Sequence, residues 1–266
     1  MNSYEKLLEF QKVKNSRLCV GLDTDINKFP SPFAKNIDSI LDFNAEIIDS
    51  TIEHASAYKI NFAFYEQYGS KGFEIIKETI NLIKDKAFVI ADAKRGDIGN
   101  TSEAYAKSVY EYFDADSITV APYMGEDSII PFLKYDDKMT FILALTSNSG
   151  SNDFQRLEIN NKPLFMHVIE KSLTWGNEKN IGFVTGATHP SDIELIREFI
   201  PNYVLLLPGV GAQGANIERL MIANNNGPCI INASRGVIYA GTGENYKHFV
   251  NLKANYYKSE FNKYII

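Results

Sequence analysis

Charged side chains stand at the ends of apolar segments, where burial of a lone charge would be costly. Asp92 and Lys94 end the run 87–94 (AFVIADAK), and Asp97 follows in the next turn. Lys59 lies inside a second apolar run, AYKIN. An isolated buried charge is strongly unfavourable, whereas opposite charges in contact are tolerated. Because such a group adds little stability, the pattern indicates an alternating lysine–aspartate array that serves chemistry.

The alternative for these residues is structural. Lys94 and Asp97 would then belong to a solvated turn, and Lys59 would lie at a strand edge. Charges at strand ends are common, so this interpretation accounts for single residues. It accounts less well for all of these charges occurring together.

A glycine-rich segment at 207–214 (LPGVGAQG) contains the spacing G-x-G-x-x-G. In dinucleotide-binding proteins, that spacing lies in an early strand–helix–strand unit, with an acidic residue about 20 positions later. Here the segment comes late in the chain, and residues 229–233 read CIINA. The sequence therefore disfavours a dinucleotide site.

Eight short apolar runs alternate with amphipathic stretches and must position these groups. The runs occupy 17–23, 57–61, 87–94, 116–121, 140–146, 181–187, 203–209 and 228–234. Such near-continuous apolar runs are typical of parallel strands buried on both faces. Eight strand–helix units predict an α/β fold, a (β/α)8 barrel in one domain over residues 1–266, although a doubly wound open sheet has the same periodicity.

Two further segments complete this outline. An extra N-terminal helix is expected at about residues 3–14. The longest irregular stretch, 147–163, directly follows the fifth strand. In a barrel this places it on the face where active-site loops lie.

A barrel gives the glycine segment a different function. Loops after the seventh and eighth strands commonly bind phosphate, and glycines let backbone N–H groups approach an anion. Arg235 can bind a phosphate through two parallel hydrogen bonds, and Gln213 can add an amide donor. The alternative is that the glycines form only tight turns and Arg235 is a surface charge.

Composition narrows the class of protein. The 27 basic and 33 acidic residues give a net charge of −6, which argues against a general nucleic-acid or membrane-surface binder. Cys19 and Cys229 lie in apolar runs and are predicted to be buried thiols. The scattered histidines predict no metal site. With no signal sequence and no apolar run of about 20 residues, we expect a cytoplasmic protein.

Taken together, these segments resemble the orotidine 5′-phosphate decarboxylase family from about residue 17 to residue 240. The family motif D-x-K-x-x-D stands at 92–97 and continues as IGNT. The other matches are GLD at 21–23, YKIN at 58–61, PGVGAQG at 208–214 and SRG at 234–236. TSN at 146–148 and DFQ at 153–155 are similar to the longer-chain bacterial subgroup (type 2). That subgroup usually has proline where Ser149 stands, a change that loosens a loop without removing a chemical group.

The resemblance implies a lyase that converts orotidine 5′-monophosphate (OMP) into UMP and CO2, the last step of de novo pyrimidine nucleotide synthesis. It implies no cofactor and no metal. Lys94 is expected to stabilise the carbanion at C6 and then protonate it. Asp92 is expected to lie beside the substrate carboxylate, and Lys59 to hold Asp92 ionised and to contact the ribose.

The resemblance also implies a homodimer, in which Asp97 and Thr101 reach the partner's active site. Asp23 is expected to bind a ribose hydroxyl and Ser147 the pyrimidine edge. The expected phosphate contacts come from Gln213 and Arg235, and Ser234 of the same SRG motif is expected to bind substrate.

Two other functions remain open. A sugar-phosphate decarboxylase of the 3-keto-gulonate type shares D-x-K-x-x-D but needs a divalent metal, usually held by an added acidic residue. The run AYKIN offers Lys59 and no acid, which counts against that enzyme. A non-catalytic nucleotide-binding barrel is also possible, because a fold does not fix a function. A binder would have no need to retain all four charged residues.

Overall fold

The structure, a computed structural model, describes residues 1–211 and 214–265, and in this part of the chain eight parallel strands close into a barrel. The strands are β1 (Leu18–Gly21), β2 (Ala57–Asn61), β3 (Phe88–Arg95), β4 (Ser117–Val120), β5 (Met139–Leu145), β6 (Ile181–Thr185), β7 (Val204–Pro208) and β8 (Cys229–Ala233). Their order around the barrel follows the chain, and β1 pairs with both β2 and β8. This closure confirms the predicted (β/α)8 barrel and excludes the open sheet.

Helices surround the strands and follow them along the chain. The α-helices in the described residues are Ser3–Lys14, Ser39–Thr51, Ala63–Glu66, Ser70–Ile83, Gly99–Lys107, Glu126–Leu133, Ser151–Phe154, Leu164–Ser172, Pro190–Phe199, Ile217–Asn224, Arg235–Ile238 and Tyr246–Asn262. Short 3-10 turns lie at Ile26–Lys28 and Pro122–Met124, and a π-helical turn lies at Ser108–Tyr112. None of the helices described is both long enough and apolar enough to cross a membrane.

The N-terminal helix Ser3–Lys14 closes the end of the barrel at which the strands begin. A reciprocal cap starts it, because Asn2 accepts from the Glu5 backbone N–H at 2.9 Å and Glu5 accepts from that of Asn2 at 3.3 Å. Leu7 is fully buried in the apolar cluster of the barrel interior. Gln11 Nε2 also donates to the Cys229 carbonyl at the start of β8, at 2.8 Å. The helix therefore forms the floor beneath the barrel core.

The stretch 147–163 after β5 is more ordered than the sequence predicts. It contains the helical turn Ser151–Phe154 and an antiparallel pair of two-residue strands, Glu158–Ile159 and Lys162–Pro163. Asn160 and Asn161 join these strands with φ values of 54° and 60°, a conformation that asparagine tolerates and two-residue hairpins favour. The prediction of an irregular stretch is wrong here, because such short strands leave no periodic signal.

The cysteines behave as their apolar surroundings predict. Cys19 and Cys229 are both buried and both free. Burial raises the pKa of the Cys229 thiol, which holds it in its neutral form. Both residues therefore act as small apolar side chains in the barrel wall.

Candidate active site

A cavity of about 260 Å3 opens where the strands end. Residues on or directly after each of the eight described strands line it. They are Asp23, Lys59, Asn61, Asp92, Lys94, Thr119, Leu143, Thr146, Ser147, Val184, Leu206, Pro208, Gly209, Val210, Asn232, Ser234 and Arg235. Active sites of (β/α)8 enzymes lie on this face of the barrel.

The centre of the cavity holds a chain of ion pairs. Asp92 Oδ2 lies 2.7 Å from Lys59 Nζ, and Asp92 Oδ1 lies 2.7 Å from Lys94 Nζ. Lys59 Nζ also lies 3.5 Å from Asp23 Oδ1. The structure thus brings together Lys59, Asp92 and Lys94 of the predicted array and joins Asp23 to it.

Burial divides this array into an inner and an outer part. Lys59 and Asp92 are 4% and 7% exposed, whereas the Lys94 side chain is 48% exposed. The inner pair is shielded from solvent, so its attraction is strong and its geometry is fixed. All of these residues line the cavity, and the Lys94 side chain is the most exposed of them.

The ion pairs determine which groups are ionised. Burial alone would raise the pKa of Asp92, but Lys59 and Lys94 outweigh it and hold that pKa well below its usual range. Burial alone would lower the pKa of Lys59, but Asp23 and Asp92 raise it above the usual range. At neutral pH Asp92 is therefore a carboxylate and Lys59 an ammonium.

Lys94 reaches Asp92 through an irregularity in β3. The pairing of β3 with β4 shifts register between Ala91 and Arg95, and Lys94 has a φ of 46°. The left-handed region is unfavourable for a residue with a side chain, and bulges that re-aim side chains are frequent next to active sites. Simple alternation along the strand predicts the common face of Asp92 and Lys94, but the contact is made on a bulge.

Asp97 and Thr101 are placed differently. Neither lines the cavity of its own chain. Asp97 is half-buried, and its Oδ1 accepts from the backbone N–H of Ile98 at 2.8 Å. Thr101 is exposed on the helix Gly99–Lys107. Within one chain, the structure thus brings together three of the four predicted catalytic residues and leaves Asp97 outside.

The predicted phosphate end follows β7 and β8. Gly209 and Gly211 have φ values of 114° and 100°, a backbone conformation that glycine adopts without strain. Arg235 is exposed at the cavity rim, and the Ser234 hydroxyl donates to the Gly21 carbonyl at 2.9 Å. Gln213, the predicted amide donor, lies outside the described residues.

Ser147, the residue predicted to bind the pyrimidine, follows β5, which β6 separates from β7. A Cβ added to Gly186 would stand 2.8 Å from the Ser147 backbone nitrogen, so the absence of a side chain there lets the two loops approach. The Gln155 side chain accepts from the Thr146 backbone N–H at 2.7 Å. These contacts fix the backbone that carries Ser147.

Sequence reasoning missed several residues of the cavity. Asn61 is the last residue of β2 and Asn232 the second last of β8, so the search for charges near the ends of apolar runs finds both when it is extended to amides. Thr119 Oγ1 donates to Asp92 Oδ1 at 2.8 Å, yet a threonine in the run SITV is an ordinary strand residue. No sequence signal distinguishes Thr119.

The acidic residues of the cavity do not form a cluster of metal ligands in the described part of the chain. Among residues 1–211 and 214–265, histidine, cysteine, aspartate and glutamate form no group of three or more suited to a metal ion. Asp23 and Asp92 approach the cavity together, but both are paired with Lys59.

Known proteins are similar to this chain in sequence and in fold. Residues 16–247 match the model of the "Orotidine 5'-phosphate decarboxylase / HUMPS family". An orotidine 5′-phosphate decarboxylase of Phocaeicola vulgatus is 47% identical over 269 positions, which cover 99% of this chain and 98% of the relative. The structure of Leishmania donovani OMP decarboxylase has a TM-score of 0.87 and 35% identity, and the match covers 99% of this chain and 98% of that one. Leishmania donovani UMP synthase matches with a TM-score of 0.89 and 36% identity over 98% of this chain, which spans 56% of the synthase chain.

Proposed function

The chain belongs to the orotidine 5′-phosphate decarboxylase family, and we propose that it converts OMP into UMP and CO2 in the cytoplasm, as the last step of de novo pyrimidine nucleotide synthesis. The observation that carries this proposal is the Lys59–Asp92–Lys94 array at the centre of the barrel mouth. It provides a cation and a carboxylate next to each other in a cavity with a candidate phosphate end. Decarboxylation at C6 needs those groups and no nucleophile.

Lys94 is the acid of the proposed reaction. When the bond between C6 and the carboxyl carbon breaks, its electron pair stays on C6, where the Lys94 ammonium stabilises the negative charge. A proton then passes from Lys94 Nζ to C6 and forms the new C–H bond of UMP. Solvent restores the proton to Lys94, whose side chain is half exposed.

Asp92 acts as a fixed negative charge in this scheme. Its depressed pKa keeps it ionised, so it is not a proton donor at neutral pH. We propose that it lies next to the carboxylate of OMP and repels it, a repulsion that ends as CO2 leaves. Lys59 holds Asp92 in this charged form and contacts the ribose.

The remaining side chains bind the parts of OMP that do not react. Asp23 is assigned to a ribose hydroxyl, Ser147 to the pyrimidine edge, and Arg235 with Ser234 to the phosphate. Gln213 is assigned to the phosphate as well. Binding energy from the phosphate can then help to assemble the site around the reacting carbon.

We propose that Asp97 and Thr101 complete the site of a second subunit in a homodimer. Their position outside their own cavity supports this, and so does the surface beside them. Ile98 and Tyr123 are 58% and 90% exposed. The chain segments that carry these two residues adjoin, because Gly96 packs near Met124. Exposed apolar side chains grouped at one site are typical of interaction surfaces.

A mixing experiment tests this arrangement. Asp97→Asn and Lys94→Ala chains should each be inactive alone. After subunit exchange at equal concentration, about a quarter of the wild-type activity should return. Half of the random dimers are then mixed, and one of their two sites is intact. No recovery in verified mixed dimers would exclude the shared site.

The activity itself is tested by following OMP absorbance in EDTA, for the wild type and for Lys94→Ala. We expect metal-independent turnover that falls at least about a thousandfold in the variant, because the charge on C6 then lacks its cation. Activity that EDTA removes would favour the metal-dependent sugar-phosphate decarboxylases. OMP or UMP binding without turnover would favour a nucleotide-binding barrel.

A further inference from the structure

We infer that Thr119 is a positioning residue for the decarboxylation, because its hydroxyl joins the Asp92 carboxylate to the backbone of Lys94. This inference rests on the proposed function. Thr119 lies in β4, is 1% exposed and lines the cavity. It acts through its two neighbours in β3 and is not itself an acid or a base of the reaction.

Both hydrogen bonds of the hydroxyl have a fixed direction. Thr119 Oγ1 donates to Asp92 Oδ1 at 2.8 Å and accepts from the Lys94 backbone N–H at 3.1 Å. An ionised carboxylate only accepts and an amide N–H only donates, so the hydroxyl proton has one orientation. A single side chain thus couples the two residues assigned to the chemistry.

The bond to Asp92 matters most when Lys94 gives up its proton. Asp92 Oδ2 is held by Lys59, whereas Asp92 Oδ1 is shared by Lys94 and Thr119. As the Lys94 ammonium turns toward C6 and loses its charge, Thr119 becomes the remaining partner of Oδ1 in the described site. The carboxylate therefore keeps its orientation through the step.

The bond to Lys94 replaces a missing ladder contact. β3 and β4 lose their regular register between Ala91 and Arg95, and the Lys94 amide lies in that interval. The amide is bonded to the Thr119 side chain instead, at a residue whose φ of 46° is unfavourable. Without the hydroxyl, a partly buried amide and a buried carboxylate oxygen would each lose a partner.

The test compares Thr119→Val with Thr119→Ser, which keeps the hydroxyl. Thr140→Val is the matched control, because Thr140 is a strand threonine, is 1% exposed, and has its hydroxyl 3.2 Å from that of Tyr110, away from the cavity. Single-turnover rates with OMP give the chemical step without product release, and KM, UMP affinity and Tm are measured in parallel.

For Thr119→Val we expect the single-turnover rate to fall about 10- to 100-fold, with KM and UMP affinity changed by less than about threefold. Thr119→Ser and Thr140→Val should keep the wild-type rate within about threefold.

Three results would overturn the inference. They are an unchanged rate in Thr119→Val, an equal loss in Thr119→Ser, and an equal loss in Thr140→Val. If Thr119→Val does not fold, Thr119→Ala against Thr119→Ser provides the same comparison. A folded wild type without OMP turnover would refute the proposed function, and this inference with it. The two failures are distinguishable, because the first is seen in the wild type and the second only in the variants.

Discussion

The two ends of the barrel each contain a buried aspartate whose two carboxylate oxygens both accept hydrogen bonds. At the closed end, Asp116 is 6% exposed and accepts from Lys6 Nζ at 2.7 Å and from the Val89 backbone N–H at 2.8 Å. At the open end, Asp92 is 7% exposed and accepts from Lys59, Lys94 and Thr119. The two carboxylates are nearly equal in exposure and differ in what surrounds them.

The difference lies in the cations. Lys6 belongs to the helix Ser3–Lys14, so its ion pair fastens that helix to the start of β4. At the mouth, two lysines share Asp92, and one of them, Lys94, remains half exposed at the wall of the cavity. A buried carboxylate with enough partners is compatible with stability anywhere in the barrel. Chemistry requires one partner that can turn away from it toward a ligand.

The same substitution at both ends should separate these functions, and Asp92→Asn is expected to have the largest effect. The amide keeps the shape but removes the charge, so OMP turnover should fall at least about a thousandfold. The folded state should persist, because Lys59 still contacts Asp23. Turnover and Tm measured on one preparation give both values. An active Asp92→Asn enzyme would remove the distinction between the two ends.

Leu7→Ala tests the closed end without touching charge. Leu7 is fully buried in the interior cluster, so the cavity left behind should cost about 3 kcal/mol. For a chain of this size Tm should fall by roughly 6–12 °C, while kcat at a temperature well below Tm stays unchanged. Val13→Ala on the same helix is the control, since Val13 is 72% exposed. A loss of kcat in the folded Leu7→Ala variant would mean that the floor of the barrel adjusts the active site.

Asp116→Asn is expected to cost about 2 kcal/mol of unfolding free energy, because an amide cannot accept from both Lys6 and the Val89 N–H as a carboxylate does. Turnover should not change. Urea unfolding gives the free energy, and the OMP assay is the second measurement. A Lys6→Met, Asp116→Asn double variant should be less than additive, since both changes remove the same ion pair.

The smallest effect concerns pH. The pKa of Asp92 is lowered in the folded state, so its ion pairs stabilise the protein fully above the ordinary aspartate pKa of about 3.9 and lose that contribution as pH falls toward the folded value. The urea midpoint difference between wild type and Asp92→Asn should therefore be constant from pH 7 to 5 and begin to narrow below about pH 4. A difference that grows toward acid would contradict the lowered pKa.

The sequence predicts the barrel well because its strands are buried on both faces, which leaves runs such as TFILALT that few other structures explain. Lys59 and Asp92 are predictable for the same reason, since a charge within such a run stands out. The bulge at Lys94 is not, because strand alternation assumes regular pairing. Thr119 is not predictable either, because threonine is a common residue in any β-strand.

Other parts of the site depend on information that one chain does not contain. The assignment of Asp97 and Thr101 to a partner's site follows from the family resemblance, and their position outside their own cavity is consistent with it. It stays a prediction until mixed dimers are measured. The hairpin at 158–163 escapes prediction because two-residue strands are shorter than any periodicity.

The order of synthesis determines when the barrel can close. β1 pairs with β2, which the ribosome makes soon afterwards, but its other neighbour is β8, whose residues 229–233 are made after the other strands of the barrel. At roughly 5–20 residues per second, more than about ten seconds pass before β8 exists. Throughout that interval one edge of β1 has no final partner, and Gln11 lacks the Cys229 carbonyl to which it will donate. The nascent chain thus holds an open sheet edge until β8 has been made, the period in which a chaperone has the most to protect.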